Sequence, residues 1–296
     1  MGNIYNISGE KISTEKNISI LFIGNSLTQD GIAYLPYFLK NYFPEINFKF
    51  YIWYNGGYTL ANQYTDFIAD APCDIFSVAE NTISWTNYNN SKIMADVLSS
   101  YTFDIVCMQE YFNYKTSYDN TTDWDNCQAY IKRHYIGNNS LKFISLFHAP
   151  LRASAEDVFT LTKTGNALIL NNTICEDMIP NGIGIYHALS TSLNNLGDQG
   201  GLSPDGTHTQ EGLPCLLQTY TTVCWILDKL GINKSIYGCP FHMNTTIYNA
   251  INVPGANLGT GLITGNYAED ILAQELAIQA YKEGKQFVIQ NLSANN

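Results

Sequence analysis

Four short apolar runs, separated by stretches with helical periodicity, constrain this chain more than any other feature. They are ISILFIGNS (18–26), INFKFYIWY (46–54), FDIVCMQ (103–109) and KFISLFH (142–148). Each is short, rich in β-branched and aromatic residues, and closed by a polar or turn-forming residue, so each reads as a buried strand. Residues 30–43, 59–70, 91–100 and 123–136 lie between them and read as helices, with Pro36 expected in the first turn or two of its segment. Residues 74–88 read as an irregular or hairpin excursion. Further on, 155–178 reads as a long helix, GIGIY (182–186) as a short fifth strand, and 210–230 as an apolar helix. Strands that alternate with helices need crossover connections, which produce a mainly parallel sheet covered on both faces. The expected fold is α/β: a three-layer α/β/α sandwich around a mainly parallel five-stranded sheet.

The alternation places one domain at 18–231, preceded by a polar arm or short hairpin at 1–17. Residues 232–265 are rich in Gly and Asn and show no helical pattern. Residues 267–283 form the cleanest amphipathic helix, expected to stop at Gly284. The segment 232–296 therefore reads as a C-terminal extension packed on the same domain.

Composition excludes several functions. Lys and Arg number 15 against 26 Asp and Glu, a net charge of −11. A phosphate backbone repels such a surface, so no nucleic-acid partner is expected. No apolar run reaches the roughly 18 residues that a membrane span requires. The 7 cysteines include no CxxC pair, which argues against a zinc ribbon and a thioredoxin-like site; they read as free thiols packed as small hydrophobes. No metal or cofactor is expected. The start, MGNIYNISGEKISTEKN, lacks the basic and apolar regions of a signal peptide, which suggests a cytoplasmic or phage-associated protein. The 32 Asn and 21 Tyr read first as genome composition and second as a glycan-facing surface.

The chemistry lies at predicted strand ends. In an open α/β sheet, ligands bind at the carboxyl edge of the strands. Ser26 falls where the first strand ends and a helix begins. It reads either as a helix N-cap or as a nucleophile whose own N–H holds an oxyanion. Asn55-Gly56-Gly57 follows the second strand, and Gln109 ends the third. A glycine N–H and a side-chain amide are both suitable oxyanion donors, and both also make ordinary turns and loops. Asp205 and His208 stand three residues apart before the helix at 210. They read either as a turn or as a base with its orienting carboxylate.

Taken in order, GNS (24–26), NGG (55–57), MQE (108–110) and DGTH (205–208) resemble the four blocks of the SGNH (GDSL-like) hydrolase superfamily. IGNSLTQDGIAYL and LSPDGTHTQEGLPCLLQTY are similar to the bacterial DUF4886 branch. The resemblance spans about residues 18–231. It implies a flavodoxin-like fold and a serine esterase working through an acyl-enzyme. Ser26 would be the nucleophile, His208 the general base and Asp205 its orienting partner. The Ser26 N–H, the Gly57 N–H and the Gln109 amide would form the oxyanion hole. The superfamily carries Asn in the third block where this chain has Gln109. Gln109-Glu110 is similar to carbohydrate acetylesterases, which implies an O-acetylated carbohydrate as substrate.

Asn25, Tyr58, Trp85, Glu110, Tyr111 and His148 are candidate substrate contacts near the same edge. A lipid esterase or thioesterase is the nearest alternative. A non-catalytic glycan-binding or virion structural protein is a second, since IYNISGEKIS resembles phage tail-associated leaders. A nucleotide binder ranks last, because no phosphate-loop motif follows a strand.

Overall fold

The computed structural model describes residues 4–5, 11–12, 15–80, 82–111, 120–137, 140–148, 155–196, 202–203, 208–239, 241, 243–251 and 262–293. The chain opens with an antiparallel pair, β1 (Ile4–Tyr5) and β2 (Lys11–Ile12), with Ile4 in register with Ile12. Then come β3 (Lys16–Gly24), α1 (Ser26–Ile32), α2 (Leu35–Tyr42), β4 (Ile46–Tyr54), α3 (Leu60–Ile68), β5 (Cys73–Val78) and β6 (Thr86–Lys92). Next are α4 (Met94–Ser100), β7 (Ile105–Met108), α5 (Thr122–His134), β8 (Lys142–Leu146), α6 (Ala155–Asn172) and β9 (Cys175–Ile179). The last elements are α7 (Asn181–Ala188), α8 (Leu213–Lys229), α9 (Thr245–Ile251) and α10 (Tyr267–Ser293).

Among the described residues the main sheet has seven strands in the order β6-β5-β4-β3-β7-β8-β9, not the five expected. Strands β4, β3, β7, β8 and β9 run parallel, and β5 and β6 add an antiparallel hairpin at the β4 edge. The excursion at 74–88 is thus part of the sheet. β6 (TNYNNSK) has no apolar pattern of its own; pairing with β5 makes it a strand.

Side-chain alternation sorts the core into two faces. Ile20, Phe22, Phe50 and Ile52 pack with Ile32, Phe38, Leu217 and Tyr220 from α1, α2 and α8. Leu21, Ile23, Trp53 and Met108 pack with Phe67, Val97, Ile131 and Ile169 from α3 to α6. The helix α10 packs on α7 and α8 and supplies Ala277 to one face and Ala280 to the other. The three-layer arrangement follows from strands that are buried on both sides.

Other expectations are corrected. The helix expected over 30–43 is two helices, with Pro36 in the first turn of α2 and the Ala33 carbonyl accepting from Trp85 Nε1 at 2.9 Å. The segment 155–178 is α6 followed by β9, and GIGIY lies in a helix, α7. Its glycines serve close packing: a Cβ on Gly182 would sit 2.0 Å from the His148 carbonyl oxygen. The segment 232–265 contains α9, and its Ile263 bridges Gly212.

Gly284 does not end α10, which runs on to Ser293. It lets the helix approach Pro180, whose Cβ would lie 2.5 Å from an added Cβ. Alanine at an open helix position is better than glycine by about 1 kcal/mol. At Gly284 the overlap, at about 1–3 kcal/mol, outweighs that gain. Gly284→Ala is therefore expected to lower the melting temperature, and a thermal unfolding scan checks the sign.

Candidate functional site

Ser26 is the first residue of α1, two residues past the end of β3. The helix cap is its neighbour Asn25, with extended backbone and Oδ1 accepting from the Leu27 N–H at 3.0 Å. The amide of Asn25 donates to the Tyr58 carbonyl at 3.0 Å. Asn25 is fully buried, and its two bonds join the start of α1 to the turn after β4. With the capping duty taken by Asn25, the Ser26 hydroxyl lies 2.7 Å from His208 Nε2. A serine hydroxyl in contact with an imidazole can lose its proton as it attacks an electrophile. Both residues are half-buried. Asp205 lies outside the described residues.

Parallel pairing brings the other strand ends alongside. Gly24 is in register with Tyr54, and Ile23 with Met108. The Asn55 N–H donates to the Gly24 carbonyl at 3.3 Å, and the Gln109 N–H to Ile23 at 2.9 Å. Residues 55–58 form a turn closed by the Tyr58 N–H on the Asn55 carbonyl at 3.4 Å. Gly57 sits in it with φ of +71°, in the left-handed region that favours glycine, with no atom within 4 Å of an added Cβ. Neither the Gly57 N–H nor the Ser26 N–H has a hydrogen-bond partner among the described residues.

The Gln109 side chain is buried, and its Oε1 accepts from Thr28 Oγ1 at 2.6 Å. That bond fixes the amide plane. Nε2 is left with one weak contact, 3.4 Å to the Glu110 carbonyl. A Cβ on Gly24 would fall 2.0 Å from Thr28 Oγ1 and 3.1 Å from Gln109 Oε1. Glycine at 24 is therefore what allows the Thr28–Gln109 bond to pass over the strand end. The Gly24 carbonyl is held from below by Gln63 Nε2 at 2.9 Å, and Gln63 Oε1 accepts from Trp53 Nε1 at 3.0 Å.

Most of the candidate substrate contacts are interior. Trp85 is buried against the α1–α2 joint. Glu110 is buried, and its Oε1 accepts from the Tyr111 N–H at 2.8 Å and the Leu60 N–H at 3.5 Å, a carboxylate at the start of α3. Tyr111 and His148 are buried and meet edge-on, with ring centroids 6.1 Å apart. Tyr58 alone among these aromatics keeps part of its ring exposed.

Sequence reasoning missed Thr28, Gln63, Asp30 and Tyr34. Asp30 Oδ2 accepts from the Thr209 N–H at 2.9 Å. Tyr34 donates to Glu211 Oε2 at 2.6 Å and accepts from the Gly212 N–H at 2.9 Å. Burial, with Cys215 and Glu211 nearby, holds the Tyr34 hydroxyl well above its ordinary pKa, so it stays a neutral donor. Burial and then the Asp30 carboxylate likewise push the Tyr54 hydroxyl up. Thr28 and Asp30 stand two and four residues after Ser26 in SLTQD, a spacing that carries no signal without the fold.

A cavity of about 450 Å³ opens at the other end of the sheet, lined by Ser19, Asn47, Lys49 and Asp104 near strand starts. It is remote from the Ser26–His208 pair. Among the described residues no group of three His, Cys, Asp or Glu could hold a metal ion, and no helix is long and apolar enough to cross a membrane.

No family model matches the chain, and no curated protein matches it. Among solved structures, a DUF4886 family protein from Bacteroides uniformis is similar in fold, with a TM-score of 0.62 and 15% identity. The alignment covers 90% of this chain and 95% of that one. A UDP-N-acetylglucosamine 2-epimerase aligns at 10% identity over 87% of this chain and 72% of its own, with a TM-score of 0.26, too low to carry an argument.

Proposed function

We propose that this chain, which shares its fold with a DUF4886 family protein, is a serine ester hydrolase acting on small acyl esters. The Ser26 hydroxyl, 2.7 Å from His208 Nε2 at the start of a helix, carries the reading. His208 takes the Ser26 proton as Oγ attacks the ester carbonyl. The tetrahedral oxyanion is met by the Ser26 and Gly57 N–H groups and by Gln109 Nε2. His208 returns the proton to the departing alcohol, leaving Ser26 acylated. Water then repeats the sequence, with His208 as base, and releases the acid. Asp205 is proposed to orient the imidazole.

The preferred substrate is an O-acetylated carbohydrate. Polar groups near the same strand ends support this: Asn55 and Asp30 are half-buried, and Tyr58, also half-buried, offers an aromatic face to a sugar ring. Hydrolysis of p-nitrophenyl acetate, butyrate and octanoate by the wild-type protein tests the reading, with a fluorophosphonate used to find the labelled residue by mass spectrometry. Rates that fall with chain length and a label on Ser26 are expected. Rates that rise with chain length point to a lipid esterase. Absence of both turnover and label removes the enzyme reading in favour of a glycan-binding protein.

A further inference from the structure

The outer face of α1 carries a second anchor for the histidine segment. Residues Leu27, Thr28, Gln29, Gly31 and Ile32 are buried, while Ser26 and Asp30 are half-buried. They are four apart, one above the other on the same face. Ser26 Oγ meets His208 Nε2 at 2.7 Å, and Asp30 Oδ2 accepts from the next residue's N–H, Thr209, at 2.9 Å. Two successive residues of one segment are thus tied to two successive turns of one helix.

Thr209 is also held from the opposite side. Its Oγ1 accepts from Gln218 Nε2 of α8 at 2.7 Å, and its carbonyl from the Cys215 thiol at 3.5 Å. Gly31 lets α1 approach α7, where an added Cβ would fall 2.7 Å from Asn181 Nδ2, and the same Cβ would stand in ordinary contact, 3.4 Å, with Gln218 Oε1 of α8. Thr209 therefore sits between two helices and is bonded to both. The bond to Asp30 is the one nearer Ser26.

We propose that Asp30 is a positioning residue for the Ser26–His208 pair, acting through the Thr209 N–H. This rests on the ester hydrolase reading above. The carboxylate holds the backbone beside His208, so the imidazole stays in line with Ser26 Oγ. A displacement of about 1 Å at such a pair costs about 10²-fold in rate.

The test compares Asp30→Ala and Asp30→Asn with wild type in steady-state hydrolysis of p-nitrophenyl acetate, together with hydrogen exchange at the Thr209 amide. Asp30→Ala is expected to lower kcat by about 10–10²-fold, with KM within about twofold, and to lose Thr209 protection. Asp30→Asn, whose Oδ1 accepts the same bond, is expected to restore kcat to within about threefold and to keep the protection. Wild-type kcat in Asp30→Ala overturns the proposal, as does a Thr209 amide whose exchange does not change. Equal loss in both variants also overturns it, since the charge and not the acceptor would then matter. A wild-type protein that neither turns over nor takes a phosphonate label overturns the ester hydrolase reading instead, and that failure shows in a different measurement from the Thr209 exchange.

Discussion

Ser26→Ala is expected to lower kcat for p-nitrophenyl acetate by about 10⁴-fold or more, with the circular dichroism spectrum and melting temperature close to wild type. The size follows from removing the atom proposed to form the acyl bond; loss of one member of a serine–histidine set typically costs on this scale. The fold is spared because the α1 cap belongs to Asn25, whose Oδ1 receives the Leu27 N–H. Had Ser26 been the cap, its loss would cost about 1 kcal/mol of stability. The same experiment thus separates a nucleophile from a cap. His208→Ala is expected to fall as far, and the double variant no further, because the two act as one unit. Equal rates in Ser26→Ala and wild type would remove Ser26 from the chemistry.

The second large effect is at Gln109. Gln109→Leu removes one proposed oxyanion donor and is expected to lower kcat by about 10²–10³-fold with little change in KM. It also leaves the buried Thr28 hydroxyl without the acceptor it now uses. An orphaned buried hydroxyl costs about 1–3 kcal/mol, so Gln109→Leu should also lower the melting temperature. Adding Thr28→Val removes the orphan and is expected to recover the stability but not the rate. If the double variant recovers both, the loss in Gln109→Leu came from a disturbed strand end, and Gln109 donates nothing to the reaction. Urea unfolding alongside kcat and KM distinguishes the two.

Much of the central sheet was legible because β3, β4, β7 and β8 are nearly continuous apolar runs. Buried parallel strands need apolar residues on both faces, and little else in the chain resembles them. β9 was hidden because CEDMI carries two acidic residues. One of them, Asp177, takes the Met178 N–H at 2.8 Å and is met from α8, where Trp225 Nε1 donates to it at 3.0 Å and Lys229 pairs with it. α7 was mistaken for a strand because its glycines weaken a helix signal. Their use is steric: Gly182 passes the His148 carbonyl, and Gly184 packs against Leu217, Thr221 and Ala280. In sequence Gly284 reads as a helix stop by the same logic, although it serves the contact with Pro180.

At the site, residue type and order make Ser26, Gly57, Gln109 and His208 candidates through their resemblance to the four SGNH blocks. A nucleophile, a permissive glycine, an amide and a base at strand ends are local properties, visible wherever a strand can be recognised. Whether Ser26 caps the helix or faces His208 was not local. It turned on Asn25 taking the cap and on residues 182 positions apart meeting at 2.7 Å. Trp85, Glu110, Tyr111 and His148 looked equally suited to a ligand, and the structure places all four in the interior. Thr28, Asp30 and Tyr34 looked like ordinary helix residues until the fold gave each a partner distant in sequence. Composition and periodicity record which residues leave water and in what rhythm. Hydrogen-bond partners and close approaches depend on which distant segments share a position in space, and only the packed structure specifies that.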